Sequence, residues 1–287
     1  MLKDDIDSLA PSRDFSRRSF VQTTVGSGFA AAVLPVSAQT LTTDTAGLEA
    51  GSIVIPVGEF SMPAYRAQPA GGKNLPVVLV ASEIFGVHEH IADVCRRFAK
   101  AGYLAIAPEL FVRQGNAGAY TEAGKLIAEV VSKAGDAQVM ADLDATVAWA
   151  AAHGGDTGRL GITGFCWGGR TTWRYVAHNP RVKAGVAWYG PVARSYHPGD
   201  KTIVELAASI KAPVLGLYGA ADGGIPVDTL TQLEAALKAA GNLKSEVVVY
   251  PDTPHAFYAD YRPSYRKAAA DDGWARCLAW FRKNGVA

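Results

Sequence analysis

Three residues of the chain have the types, order and surroundings of a nucleophile, an acid and a base. Cys166 stands in Gly164-Phe165-Cys166-Trp167-Gly168, after the apolar run Leu160-Gly161-Ile162-Thr163 and before a helical stretch, Arg170 to His178. A Gly-x-nucleophile-x-Gly string in that setting reads as the elbow of a strand-to-helix turn. A side chain two positions before or after the nucleophile would strike the adjoining strand or helix there, so both positions must be small. Asp222, in Gly219-Ala220-Ala221-Asp222-Gly223-Gly224, follows the apolar run Val214 to Tyr218. His255, in Pro251-Asp252-Thr253-Pro254-His255-Ala256-Phe257, follows Ser245 to Tyr250. Acid and histidine thus come after the nucleophile, each at the end of a strand, which is the order an elbow nucleophile requires. The chemistry would be attack by sulfur, with His255 as base and Asp222 orienting it. Asp228 and Asp252 are rival carboxylates: Asp228 reads as the N-cap of the next helix, and Asp252 is close enough to His255 to serve only its turn.

The elements that must position these residues alternate along the chain. Ser52 to Pro56 and Phe60 to Gln68 read as an antiparallel pair around Val57-Gly58-Glu59, at a sheet edge. Pro76 to Ala81 is a continuous apolar run, the mark of a strand covered on both faces. A helix over His88 to Ala101 and a strand over Tyr103 to Pro108 follow. Helical segments are predicted at Tyr120 to Lys133 and Ala137 to Ala152, broken at Gly135-Asp136, with the chain from Gly115 to Gly135 either lying flat or covering the site. Strands at Ala184 to Tyr189, Val214 to Tyr218 and Ser245 to Tyr250, with helices over Asp228 to Ala240 and Ser264 to Lys283, complete the order. The alternation predicts an α/β fold with a mostly parallel sheet and helices on both faces. No repeat or linker divides it, so residues 51–287 read as one domain behind a connector, 39–50.

Glu83-Ile84-Phe85-Gly86-Val87, the Cys166 elbow continued by Gly169, and the Asp222 and His255 loops together resemble the dienelactone hydrolase (carboxymethylenebutenolidase) family over roughly residues 50–285. The resemblance implies an α/β-hydrolase fold and hydrolysis of a small ester or lactone through an acyl-thioester. It implies that Glu83 contacts the resting thiol, is displaced by substrate and takes up the thiol proton. It also implies an oxyanion hole made by the backbone N–H groups of Ile84 and Trp167, and places Phe85 and Tyr189 near the substrate; an aromatic such as Tyr189, ending an apolar strand, reads equally as core. The family grips a substrate carboxylate with arginines, one of them four residues beyond the histidine, where this chain has Ala259. Arg262 and Arg113 are the cations available instead. This departure predicts that small activated neutral esters are better substrates than an anionic dienelactone. The rival on the same fold is a non-catalytic binding protein with an inert elbow cysteine.

The remaining patterns narrow the function. His88-Glu89-His90 is no helical metal pair, since residues two apart on a helix face different ways, and no metal is expected. No dinucleotide or phosphate-binding glycine loop occurs, so no cofactor is expected. With 28 basic and 27 acidic side chains in 287 residues the net charge is +1, which argues against a nucleic-acid partner. Three cysteines, an odd number, are no disulfide framework and leave at least one thiol free. At the N-terminus, Ser16-Arg17-Arg18-Ser19-Phe20-Val21 precedes a weakly apolar stretch, Val25 to Val36, and Val36-Ser37-Ala38. This is the layout of a twin-arginine signal over residues 1–38, implying the twin-arginine export machinery as a partner and a periplasmic or secreted product. No other apolar run reaches the roughly 20 residues that span a bilayer.

Overall fold

A computed structural model of the protein describes residues 41–196 and 199–287; the expected export signal lies outside the described residues. The first strands, β1 (Leu48–Val57) and β2 (Phe60–Pro69), pair antiparallel with Leu48 opposite Pro69 and Val57 opposite Phe60. They close on Gly58-Glu59, with Gly58 at a φ of 58° that glycine adopts without strain. The hairpin starts before residue 51, the expected start of the domain. Next come β3 (Leu75–Ala81), helix α1 (Glu89–Lys100) and β4 (Leu104–Pro108). Two further helices follow, α2 (Ala123–Glu129) and α3 (Asp136–Ala152), then β5 (Gly155–Phe165) and α4 (Trp167–His178). The chain continues through β6 (Ala184–Trp188), the one-turn α5 (Ile203–Leu206), β7 (Val214–Gly219), α6 (Val227–Ala239), β8 (Glu246–Tyr250) and α7 (Lys267–Lys283).

All eight strands form one sheet in the order β1-β2-β4-β3-β5-β6-β7-β8. The β1–β2 and β2–β4 pairs are antiparallel and the rest are parallel. Strands β4, β6 and β7 are buried at every residue, as is all of β3 but Leu75, and β3 contains the run that reads as continuously apolar. The edge strand β1 is only partly buried. Helices cover both faces: a Cβ on Gly161 would meet Phe281 of α7, whereas one on Gly185 would meet Thr172 and Val176 of α4. Gly185 pairs with Ile162, the neighbour of Gly161, so the two glycines face opposite ways. On the α7 side, Phe98 of α1 packs against Trp274 and Phe281.

Two local expectations are corrected. The single helix over 120–133 is instead a 3-10 turn at Ala117–Ala119, the seven-residue α2 and another 3-10 turn at Val131–Lys133. Val130 leaves helical geometry at φ −124°, and it opens a β-branched pair, Val130-Val131, whose stiff side chains crowd a helix. Leu126, Val130 and Val131 are all buried, so this stretch lies against the body. Asp228 sits inside the first turn of α6 behind Pro226 at the N-cap and makes no cap hydrogen bond there.

Candidate active site

The sheet's parallel strands deliver the candidate residues from their C-terminal ends. Cys166 bridges β5 and α4 at φ 54°, ψ −117°. Such a conformation costs a non-glycine residue about 1–3 kcal/mol and needs surrounding structure to hold it. The Cys166 N–H donates to Trp188 O at 3.0 Å, and its carbonyl accepts from Gly169 and Arg170 N–H at 2.9 and 3.2 Å. A Cβ on Gly164 would lie 2.2 Å from Gly168 O, and one on Gly168 would lie 2.2 Å from Ala81 O. Helix and strand therefore approach the elbow so closely that only hydrogen fits, the reason the spacing suggested.

Asp222 hangs from the turn after β7, where its Oδ1 accepts from Gly224 N–H at 3.0 Å. Its Oδ2 lies 2.6 Å from His255 Nδ1. Both side chains are buried, as is Cys166, whose sulfur acts on His255. Burial works against a charged His255, but the Cys166 sulfur and the Asp222 carboxylate outweigh it and hold the imidazole well above its usual value. Asp252, the rival acid, is exposed in a left-handed conformation at φ 49°. Asp222 is thus the carboxylate bonded to His255.

Glu83 sits beyond β3 in a loop shaped by Gly86, whose φ is +75° and where a Cβ would lie 2.7 Å from Glu109 Oε2. The Glu109 carboxylate accepts from Val87 N–H at 2.9 Å and so braces the loop. Burial raises the Glu83 carboxyl, yet the His88 hydrogen bond and the Arg262 charge prevail and hold it well below the usual carboxylate range. Its Oε2 accepts from Tyr261 OH at 2.6 Å and lies 3.1 Å from His88 Nε2. Arg262 lies 5.1 Å from the Phe85 ring and 5.0 Å from that of Tyr261, and its buried Nε has no hydrogen-bond partner among the described residues. Tyr189, at φ 38°, is fully buried with its ring 5.1 Å from that of His255 and its hydroxyl without a partner among the described residues. No backbone acceptor among the described residues takes up the N–H of Ile84 or Trp167.

The structure thus gathers Cys166, His255, Asp222, Glu83, Arg262, Phe85 and Tyr189. It does not bring Arg113 to them: that guanidinium is held by Asp142 at 2.5 Å and stacks 4.1 Å from the Phe60 ring. Sequence reasoning missed Tyr261 and Tyr196. Burial pushes the Tyr196 phenol up; Arg194 donates to its hydroxyl at 3.1 Å, and Cys166 is among the groups that act on it. Their only signal was an aromatic one or two positions from an arginine in the loops that follow strands. His88 and His90 also need correction, for their rings stack at 6.0 Å and 19°. His88 is the extended N-cap of α1, outside the helix, so the spacing rule for helical residues does not apply to it. The rings face Glu83 and Asp260 respectively, and no group of three metal-ligating side chains occurs among the described residues.

Residues 62–285 match the model of the dienelactone hydrolase family. The chain belongs to that family. A Methylorubrum extorquens protein provisionally named carboxymethylenebutenolidase is 57% identical over 286 residues, covering 99% of this chain and 98% of its own. An Escherichia coli K12 protein of the same provisional name is 50% identical over 270 residues, covering 92% and 97%. The crystal structure of a Klebsiella pneumoniae protein provisionally called a dienelactone hydrolase superposes with a TM-score of 0.79 at 56% identity, covering 82% of this chain and 99% of that one. With such relatives, the eight-stranded sheet is an α/β-hydrolase fold of the dienelactone hydrolase type.

Proposed function

We propose that this protein hydrolyses an ester or lactone of a small substrate with Cys166 as nucleophile, His255 as general base and acid, and Asp222 as the group that orients His255. The observation that carries the reading is the His255 Nδ1–Asp222 Oδ2 contact of 2.6 Å, with the Cys166 sulfur acting on the same imidazole. Sulfur bonds to the carbonyl carbon with the thiol proton resting on His255 Nε2, where the raised proton affinity of the imidazole holds it. The negative charge that develops on the carbonyl oxygen is met by the N–H groups of Ile84 and Trp167, which have no backbone acceptor of their own among the described residues. Collapse breaks the carbon–oxygen bond, His255 returns the proton to the leaving alkoxide, and an acyl-thioester remains. Water, deprotonated by His255, attacks the thioester and releases the acid and the thiol.

Small neutral esters are the favoured substrates in this reading. Arg262 is a cation that Cys166 acts on, and Glu83 already acts on its charge, so an incoming carboxylate must compete with a resident one. Phe85 and Tyr189 supply apolar surface. The relatives' carboxymethylenebutenolidase names support a lactone or ester as substrate.

Residues 1–38 are proposed to direct twin-arginine export, on the strength of Ser16-Arg17-Arg18-Ser19-Phe20 and the small residues ending at Ala38, giving a periplasmic or secreted enzyme. Arg17→Lys with Arg18→Lys should leave the precursor unprocessed; normal processing would refute the assignment. Among the described residues no helix is long and apolar enough to cross a membrane.

The test of the activity is hydrolysis of short-chain chromogenic esters and a dienelactone by the protein from Gln39 onward and its Cys166→Ala and His255→Ala variants. Loss of activity by about a thousandfold or more in both variants is expected. Activity absent from the parent, or retained in the variants, would overturn the reading.

A further inference from the structure

The turn that carries Ile84 is only weakly closed by its own hydrogen bond. It is formed by Glu83, Ile84, Phe85 and Gly86, and Gly86 N–H reaches Glu83 O at 3.4 Å, longer than the usual range. What ties it down comes from the neighbouring strand. β3 and β4 run parallel with Leu79 opposite Ile106, so their ends lie level and Glu109, the residue after β4, stands beside the turn that follows β3. Its own backbone is fixed there, the N–H donating to Pro63 O of β2 at 2.9 Å. Its Oε1 accepts from Val87 N–H at 2.9 Å, and its Oε2 lies where a Cβ on Gly86 would come within 2.7 Å. Both carboxylate oxygens thus bear on the exit of the turn. Among the described residues no other side chain hydrogen-bonds to the backbone of residues 83–87.

We propose that Glu109 is a positioning residue for the hydrolysis: by holding Val87 and bearing on Gly86 it sets where the Ile84 N–H points, and so where negative charge on a substrate carbonyl oxygen is met. The proposal rests on the reading of Cys166 as nucleophile with the Ile84 N–H in its oxyanion hole. That N–H has no backbone acceptor of its own among the described residues, and a donor kept for a developing charge is worth most when nothing has to reorganise to present it. Misplacing such a group by about 1 Å can cost about a hundredfold in rate, so a tie three residues away has consequences for the chemistry. Burial pushes the Glu109 carboxyl up and the Val87 N–H draws it back, so this N–H is the donor on which its charged form depends. What Glu109 holds is the backbone of the turn. The Glu83 side chain can change rotamer without carrying the Ile84 N–H with it.

The distinguishing measurements are kcat and KM for a neutral chromogenic ester and, on the same preparations, the rate of Cys166 alkylation by iodoacetamide, in the parent and in Glu109→Met, Glu109→Ala and Glu109→Gln. Alkylation displaces iodide at a saturated carbon, so it needs the thiolate but not the oxyanion hole. Burial pushes the Cys95 and Cys277 thiols well up, which leaves Cys166 as the thiol that reacts. Methionine fills the volume of the glutamate without a strong acceptor. Glu109→Met should lower kcat about tenfold or more, keep KM within about twofold and leave the alkylation rate unchanged. Glu109→Gln restores an acceptor carbonyl and should recover most of the loss. A parental kcat in Glu109→Met would overturn the proposal, as would a fall in alkylation rate to match that in kcat, or a Glu109→Gln no better than Glu109→Met. Should Glu109→Met not fold, Glu109→Ala carries the same test. Failure of the nucleophile reading would appear separately, as activity surviving Cys166→Ala.

Discussion

The Thr253 carbonyl oxygen lies 2.0 Å from the point a Cβ on Gly219 would occupy, so the turn bearing Asp222 and the turn bearing His255 touch through backbone alone. Two hydrogen bonds follow from that approach, Ala220 N–H to Tyr250 O at 2.9 Å and Ala221 N–H to Thr253 O at 3.0 Å. Asp222 and His255 are thereby set relative to each other before their side chains meet. Gly219→Ala should separate the turns, destabilising the fold by about 2–3 kcal/mol and lowering kcat more than it raises KM. Urea denaturation and steady-state kinetics on the same preparation check both effects; an unchanged midpoint would show that the turns can part without cost.

Asp222→Asn keeps the shape of the side chain and removes its charge. Hydrolysis should fall by about a thousandfold or more, almost wholly in kcat. Stability should change with a definite pH signature. His255 is raised above its ordinary value of 6.5 in the folded protein, with burial opposing and Cys166 and Asp222 prevailing. The stability this contributes is complete below about pH 6.5 and is lost as pH rises through the raised value. The gap between parent and variant in urea midpoint should therefore be wider at pH 6 than at pH 10, and a gap that widens with pH would reverse the assignment.

The two arginines should behave differently. Arg262→Met leaves Glu83 facing an arriving carboxylate without its countercharge, so KM for an anionic ester should rise about tenfold or more while that for a neutral ester stays put. Arg113→Gln breaks a pair with the buried Asp142 and should cost about 3 kcal/mol of stability with no change in substrate preference. A shift in anionic-ester KM on altering Arg113 would return it to the pocket.

Asp260 is a buried anchor whose folded pKa is depressed, burial opposing and His90 and Arg97 prevailing. Its contribution to stability is present above its ordinary value of 3.8 and is lost as pH falls through the lower folded value. Asp260→Asn should accordingly lower the melting temperature at pH 7 by several degrees, and the difference should narrow only below about pH 4. A difference already gone at pH 5 would point to another group.

What could be read in the sequence was whatever depends on local periodicity and chain order. The continuous apolar run of β3 announced a buried parallel strand because both of its faces are covered. The elbow glycines were legible because steric exclusion acts within a few residues of Cys166. Interactions closed across the fold were not. Asp142 is 29 residues from the Arg113 it holds, and Tyr261 is 178 residues from the Glu83 it donates to, with no period to connect either pair. His88 was misjudged for a smaller reason: one residue of difference at the start of α1 takes it from a helical face to an extended cap.

The stretch from Pro251 to Arg266 contains turns but no helix or strand, and it carries both His255 and the pair Tyr261-Arg262 that borders the pocket. Cys166, Asp222 and Glu83 arrive from elsewhere. Substitutions at Tyr261 and Arg262 can therefore alter what borders Glu83 while leaving Cys166, Asp222 and His255 in place, since connecting segments tolerate exchange more readily than the scaffold that bears them. Ala259, at the position where the resemblance led an arginine to be expected, lies in the same stretch.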